Sequence, residues 1–315
     1  MQNDNYNNYD AYEMDLNTLE HQQRQAARER DAETAYKKGM QKKALETSCY
    51  VCGAGAFSVF IRWLQTMLAF NDDGLVDASV FNVLVPLMIL ASGWLFLRFV
   101  DRLRNERYYV PADFYEAFAN PGKLYTLARW TIGVIMLIGS VMLLIASETD
   151  KNAAFLRILS LIGVINGLAF PLVLSSANRP HAASIRPVCF LTFIPILFFC
   201  VWLVTCYKIN SNNSVVWAYG PEAIAIVFSI IAFFRVAGFP FAAPNPPRAM
   251  FFCMLAAAMD IMIIADERYM GMQLMFFSSA MMLVLYNWLM ICNLRQHPKP
   301  ERERPDDGFE RLRTR

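Results

Sequence analysis

The stretch PVCFLTFIPILFFCVWLVTCY, residues 187–207, contains no charged side chain in 21 positions. A helix rising 1.5 Å per residue needs roughly 20 mostly apolar residues to cross a hydrocarbon layer of about 30 Å, so this stretch reads as a membrane span. Seven more stretches read the same way, near 49–70, 78–100, 127–147, 154–175, 215–237, 249–265 and 270–293. The expected fold is therefore all-α, a polytopic integral membrane bundle of about eight transmembrane helices. Short turns (71–77, 148–153, 208–214, 266–269) join the spans into four hairpins, and longer linkers (101–126, 176–186, 238–248) separate the pairs. A polar tail, 1–48, precedes the 49–293 membrane region, and a charged tail, 294–315, follows it.

The apolar fraction of 56% and the net charge of +2 hide a strong segregation of charge. Of the 29 Lys and Arg, 24 fall in the two tails, in the linkers on the tails' side and at the span ends beside those linkers. The positive-inside rule then places both termini in the cytoplasm, with the plasma membrane as the expected location and the lipid bilayer as the first partner. The basic residues are scattered rather than clustered on one face, which gives no case for nucleic acid. Residues 1–48 and the 101–126 linker are the sizeable non-membrane parts, and these are where a cytoplasmic protein partner would dock. Within the tail, Met1 to Asp10 is too polar to fold alone, and a helix is expected from Asn17. The linker carries Phe114, Tyr115, Phe118 and Tyr125, with Pro111 and Pro121 at its bounds, and predicts a short helix over 111–120 at the headgroup interface.

Ionisable side chains inside spans are costly, about 2.5–3.5 kcal/mol or more unless paired or hydrated, so they mark candidate sites. Arg62, Glu222 and Asp260 qualify, with Asn82 and Gln273 at similar depths on the outer side. Were spans 1, 6 and 7 neighbours, Arg62 would neutralise Glu222 or Asp260 around an outward-facing polar pocket for substrate binding or ion coupling. Gly220-Pro221 before Glu222 would free backbone carbonyls there. The bland alternative is a helix-locking ion pair, or an arginine snorkelling to the headgroups, which also accounts for Arg157. Asn166 and Asn287 read as interhelical hydrogen-bonding residues. Pro86 after Asn82 and Pro171 after Asn166 hint at a repeat, though the match is short.

Other motifs are incomplete. The turn Asn71-Asp72-Asp73-Gly74-Leu75-Val76-Asp77 matches the middle of a calcium loop, but Ala69 and Val80 stand where its end ligands belong, so a Gly-containing turn is expected. Asp73 and Asp77 also resemble half of a magnesium-diphosphate motif, without its second half. Cys49-x-x-Cys52 lacks a second Cys pair or a nearby His, and the seven cysteines are an odd number. His21, His181 and His297 lie outside the spans, no lysine is deep enough for a Schiff base, and no P-loop occurs. No metal and no cofactor is expected. Three functions stay open: a transporter or permease-like component, a membrane scaffold or sensor acting through its tails, and an intramembrane lipid-modifying enzyme. The last has no visible catalytic constellation.

Overall fold

A computed structural model describes residues 6–68, 81–120, 122–149, 151–178, 185–211, 216–266 and 268–296. Eight of its helices are long and apolar enough to span a membrane. They are α1 (Tyr6–Leu68), α2 (Phe81–Asn105), α4 (Lys123–Ala146), α5 (Ala153–Ser176), α6 (Arg186–Ile209), α7 (Val216–Ala237), α8 (Pro246–Ile263) and α9 (Met270–Cys292). A five-residue helix, α3 (Phe114–Phe118), a 3-10 turn (Ser147–Thr149) and a two-stranded ribbon of β1 (Tyr108–Tyr109) and β2 (Arg295–Gln296) complete the described elements. The expected polytopic bundle is the fold.

Lipid tails are as apolar as leucine, so burying apolar surface does not hold such helices together; close packing at small residues does. Gly133 and Gly167 meet at the α4–α5 crossing, where a Cβ on Gly133 would lie 2.6 Å from the Gly167 carbonyl oxygen. Ser160 in α5 adds a hydrogen bond from its hydroxyl to the Ser140 carbonyl, 2.6 Å. On another face of α4, Gly139 meets Gly271 of α9, and a Cβ on Gly271 would lie 2.5 Å from the Gly139 carbonyl oxygen. Ser278 of α9 donates to the Ile132 carbonyl at 2.8 Å along the same seam.

The hairpins α4–α5, α6–α7 and α8–α9 pack as expected, and α5–α6 and α7–α8 contacts join them in a row. Helix α9 lies at the centre, against α1, α4, α7 and α8. Helix α1 packs more extensively on α8 and α9 than on its sequence neighbour α2. A side chain on Gly55 of α1 would run into Ile261 of α8, which fixes that approach. Span 1 therefore neighbours spans 7 and 8.

Two departures from the sequence reading concern the tails' side of the bundle. Helix α1 already begins at Tyr6, not Asn17, and runs unbroken into the membrane span. Its side chains at 24–35 are exposed all round, so this part of the helix stands clear of the bundle. The linker helix is not a lipid-facing interfacial element. Phe114, Tyr115, Ala117 and Phe118 of α3 are buried, and Phe118 packs edge-on against Tyr286 of α9 and Phe239. Aromatic rings find more contact inside the end of the bundle than at the headgroups, and Asp113 caps the short helix by accepting from the Glu116 N–H. Nearby, Tyr36 donates to the Leu294 carbonyl at 2.9 Å and Lys43 pairs with Glu106 at 2.7 Å, which ties α1 to the α2 end and to the segment after α9.

Candidate functional site

Helix α8 has 18 residues against 24 in α6 and 22 in α7, a difference of about 6–9 Å at 1.5 Å per residue. The α8–α9 turn is recessed as a result. Its Asp266 and Arg268 meet residues lying six positions inside the ends of α1 and α7, about 9 Å along each helix. The chain thereby brings two ion pairs to one level.

The first pair is sealed. Arg62 Nε donates to Asp266 Oδ1 at 2.7 Å, Nη2 donates to Oδ2 at 3.2 Å, and Nη1 donates to Gln65 Oε1 at 2.6 Å. The side chains are 1% and 5% exposed. This is the forked, bidentate geometry in which an arginine–carboxylate pair is strongest. Gln273 braces the same turn, donating its amide to the Ile264 and Asp266 carbonyls at 3.3 and 2.9 Å.

The second pair faces space. Arg268 Nη2 lies 2.8 Å from Glu222 Oε2, and Trp202 donates its indole N–H to Glu222 Oε1 at 3.3 Å. Glu222 is 1% exposed and Arg268 18%. Among the described residues, both line a cavity of about 600 Å³ together with Cys206 and Ile209 of α6, Asn210 just after it, Tyr269 just before α9 and Met272 within it. That volume falls in the ~300–1,000 Å³ range of small-molecule sites. Helix α7 remains helical through Gly220-Pro221, which delivers Glu222 to the cavity wall.

Behind Glu222 lies a run of aromatic rings that begins at Trp202. Trp202 lies against Phe276 with centroids 4.1 Å apart and stacks on Phe199, which stacks on Phe233. Phe233 meets Tyr286, and Tyr286 meets Phe118 of α3. A continuous chain of ring contacts thus leads from beside Glu222 to α3.

Of the expected pocket residues whose side chains are described, only Glu222 lines the cavity. Arg62 meets neither Glu222 nor Asp260, because the recessed turn offers it a nearer carboxylate in Asp266. Asp260 is buried between α7 and α8, where the Ser229 hydroxyl donates to its two oxygens at 2.9 and 3.0 Å. Gln273 serves the turn, and the side chain of Asn82 lies outside the described residues. Arg157 is exposed on α5, as a headgroup-seeking arginine would be. Asn166 is buried with neither amide atom hydrogen-bonded, and Asn287 has an unpartnered oxygen, so the side-chain amide of Asn166 bridges no helices and the Asn287 oxygen adds no bridge.

Asp266 and Arg268 are not evident from sequence, because a four-residue turn between two spans implies a place at the surface. The signal was the shortness of the apolar run 249–265. The 71–77 turn, His181 and His297 fall outside the described residues. Among the described residues the seven cysteines are free, and no group of three or more His, Cys, Asp or Glu is placed to hold a metal ion. No protein-family model matches the chain, and no curated protein and no solved structure is significantly similar to it.

Proposed function

We propose that this multi-pass membrane protein is a permease-like component that binds a small solute in the cavity between α6, α7 and α9, on the outer side of the plasma membrane. The observation that carries the proposal is the Glu222–Arg268 pair, an ion pair inside the span region that lines a cavity of about 600 Å³. A carboxylate held at this depth is expensive for a bundle that only needs to pack, and a cavity beside it supplies a use. The segregation of 24 of 29 basic residues to the tails' side supports the outward orientation. The run of aromatic rings behind Glu222 is, on this reading, the barrier that α6 or α9 would have to shift for passage.

Proteoliposomes carrying the full chain provide the test, with solute-evoked currents and tracer flux recorded over amino acids, amines, carboxylates and sugars. Glu222→Gln is expected to lower the wild-type signal tenfold or more while leaving the size-exclusion profile unchanged. A wild-type protein that moves none of these solutes, or a variant indistinguishable from it, contradicts the proposal.

One observation favours a second reading, a scaffold or sensor. The part of α1 around residues 24–35 stands clear of the bundle and offers a partner a helix exposed on every side. Removing residues 1–35 would then abolish co-purification of a cytoplasmic partner, whereas Glu222→Gln would leave it intact.

A further inference from the structure

The charges around the cavity narrow the class of solute, given the reading of the cavity as a solute site. Its charged lining among the described residues is one pair of opposite sign, Arg268 against Glu222. Among the described residues no further charged side chain lines the cavity. A solute with a net charge would leave one unmatched charge in a poorly screened site, which is strongly unfavourable. A molecule bearing both signs can part Glu222 from Arg268 and replace each partner with its own group, and the balance is kept.

The two heads also differ in access. Glu222 is the more deeply buried, at 1%, and Arg268 at 18% lies nearer the mouth. A positive group must therefore enter first and reach Glu222, and a carboxylate behind it meets the guanidinium, whose planar fork suits two-point binding. Beside this axis Ile209 and Met272 supply apolar surface, next to the polar Asn210 and Tyr269. We infer that the cavity takes a small zwitterion, its ammonium on Glu222, its carboxylate on Arg268 and an apolar body against Ile209 and Met272.

Binding of radiolabelled leucine, 4-aminobutyrate and betaine to the full-length protein in lipid nanodiscs tests this. Leucine stripped of one charge, as 3-methylbutylamine or as 4-methylpentanoate, serves as the comparison. At least one zwitterion is expected to bind saturably and at least tenfold tighter than either stripped analogue. Glu222→Gln and Arg268→Gln should each weaken it tenfold or more, and the lipid-facing Arg157→Gln should not. Arg268→Gln, nearer the mouth, keeps the test valid should Glu222→Gln fail to fold. An amine or carboxylate that binds as tightly as every zwitterion overturns the inference and leaves the solute site standing. Saturable binding of no probe also overturns it, and the proposed permease role falls with it only if the flux panel is silent as well.

Discussion

Two ion pairs, Arg62–Asp266 and Glu222–Arg268, flank one recessed turn, yet they are built for different ends. Arg62 is held by a carboxylate fork and a glutamine, and its side chain is buried. Glu222 has an indole behind it and a cavity in front. Both are arginine–carboxylate pairs, and what separates a structural pair from a ligand-ready one is whether the low-dielectric surroundings close on both heads or on one. The turn can hold both pairs because α8 is short.

The sharpest way to break the comparison is at the sealed pair. Arg62→Met should destabilise the protein by about 3–5 kcal/mol, because it strands Asp266 without a counter-charge. Combining it with Asp266→Leu should recover part of that loss, and chemical denaturation in mixed micelles reads both. Were the single variant as stable as wild type, Arg62–Asp266 would not be the lock of this turn.

A slightly smaller effect is expected where α9 is seated. Gly271→Val places a Cβ 2.5 Å from the Gly139 carbonyl oxygen and 2.6 Å from the Leu143 amide nitrogen. Overpacking of this kind costs about 1–3 kcal/mol. By tilting the start of α9 it should also disturb the cavity wall at Met272, so thermal stability and solute binding fall together. Glu222→Gln should separate the two: solute affinity drops tenfold or more, about 1.4 kcal/mol, while the melting temperature changes little.

The smallest effect belongs to a pair in neither class. Glu106 lies outside the spans, and its hydrogen bond from Lys43 holds its carboxyl below the usual range, although partial burial opposes this. A depressed folded value means that the stabilisation is present above the unfolded carboxylate value of about 4.3 and is lost as pH falls through the folded one. Because both side chains are about a third exposed, the pair contributes about 0–1 kcal/mol. Lys43→Met should therefore lower the melting point slightly at pH 7, by a margin that narrows as pH falls below about 4.3.

The eight spans were legible because hydropathy depends on composition alone. Their neighbours were not, because helix packing in a bilayer is set by where small residues let backbones meet. Gly163-x-x-x-Gly167 on α5 is such a signal, with Gly133, Gly139 and Gly271 as its counterparts. Glu222 was identifiable as a charge in an apolar run. Its partner Arg268 was not, since only the recession of the turn carries it to that depth. The aromatic linker misled for a related reason: Phe114 and Phe118 suit a headgroup interface and a buried plug equally well, and tertiary packing decided between them.

The contrast between an open and a sealed site is tested most directly by cysteine accessibility. With the native cysteines replaced by alanine, Asn210→Cys at the cavity wall and Gln65→Cys at the sealed pair are exposed in intact cells to a membrane-impermeant maleimide. The account predicts labelling of Asn210→Cys from outside, slowed by a bound zwitterion, and none of Gln65→Cys. Equal labelling of both, or labelling of Asn210→Cys only after the cytoplasmic face is opened, would contradict it.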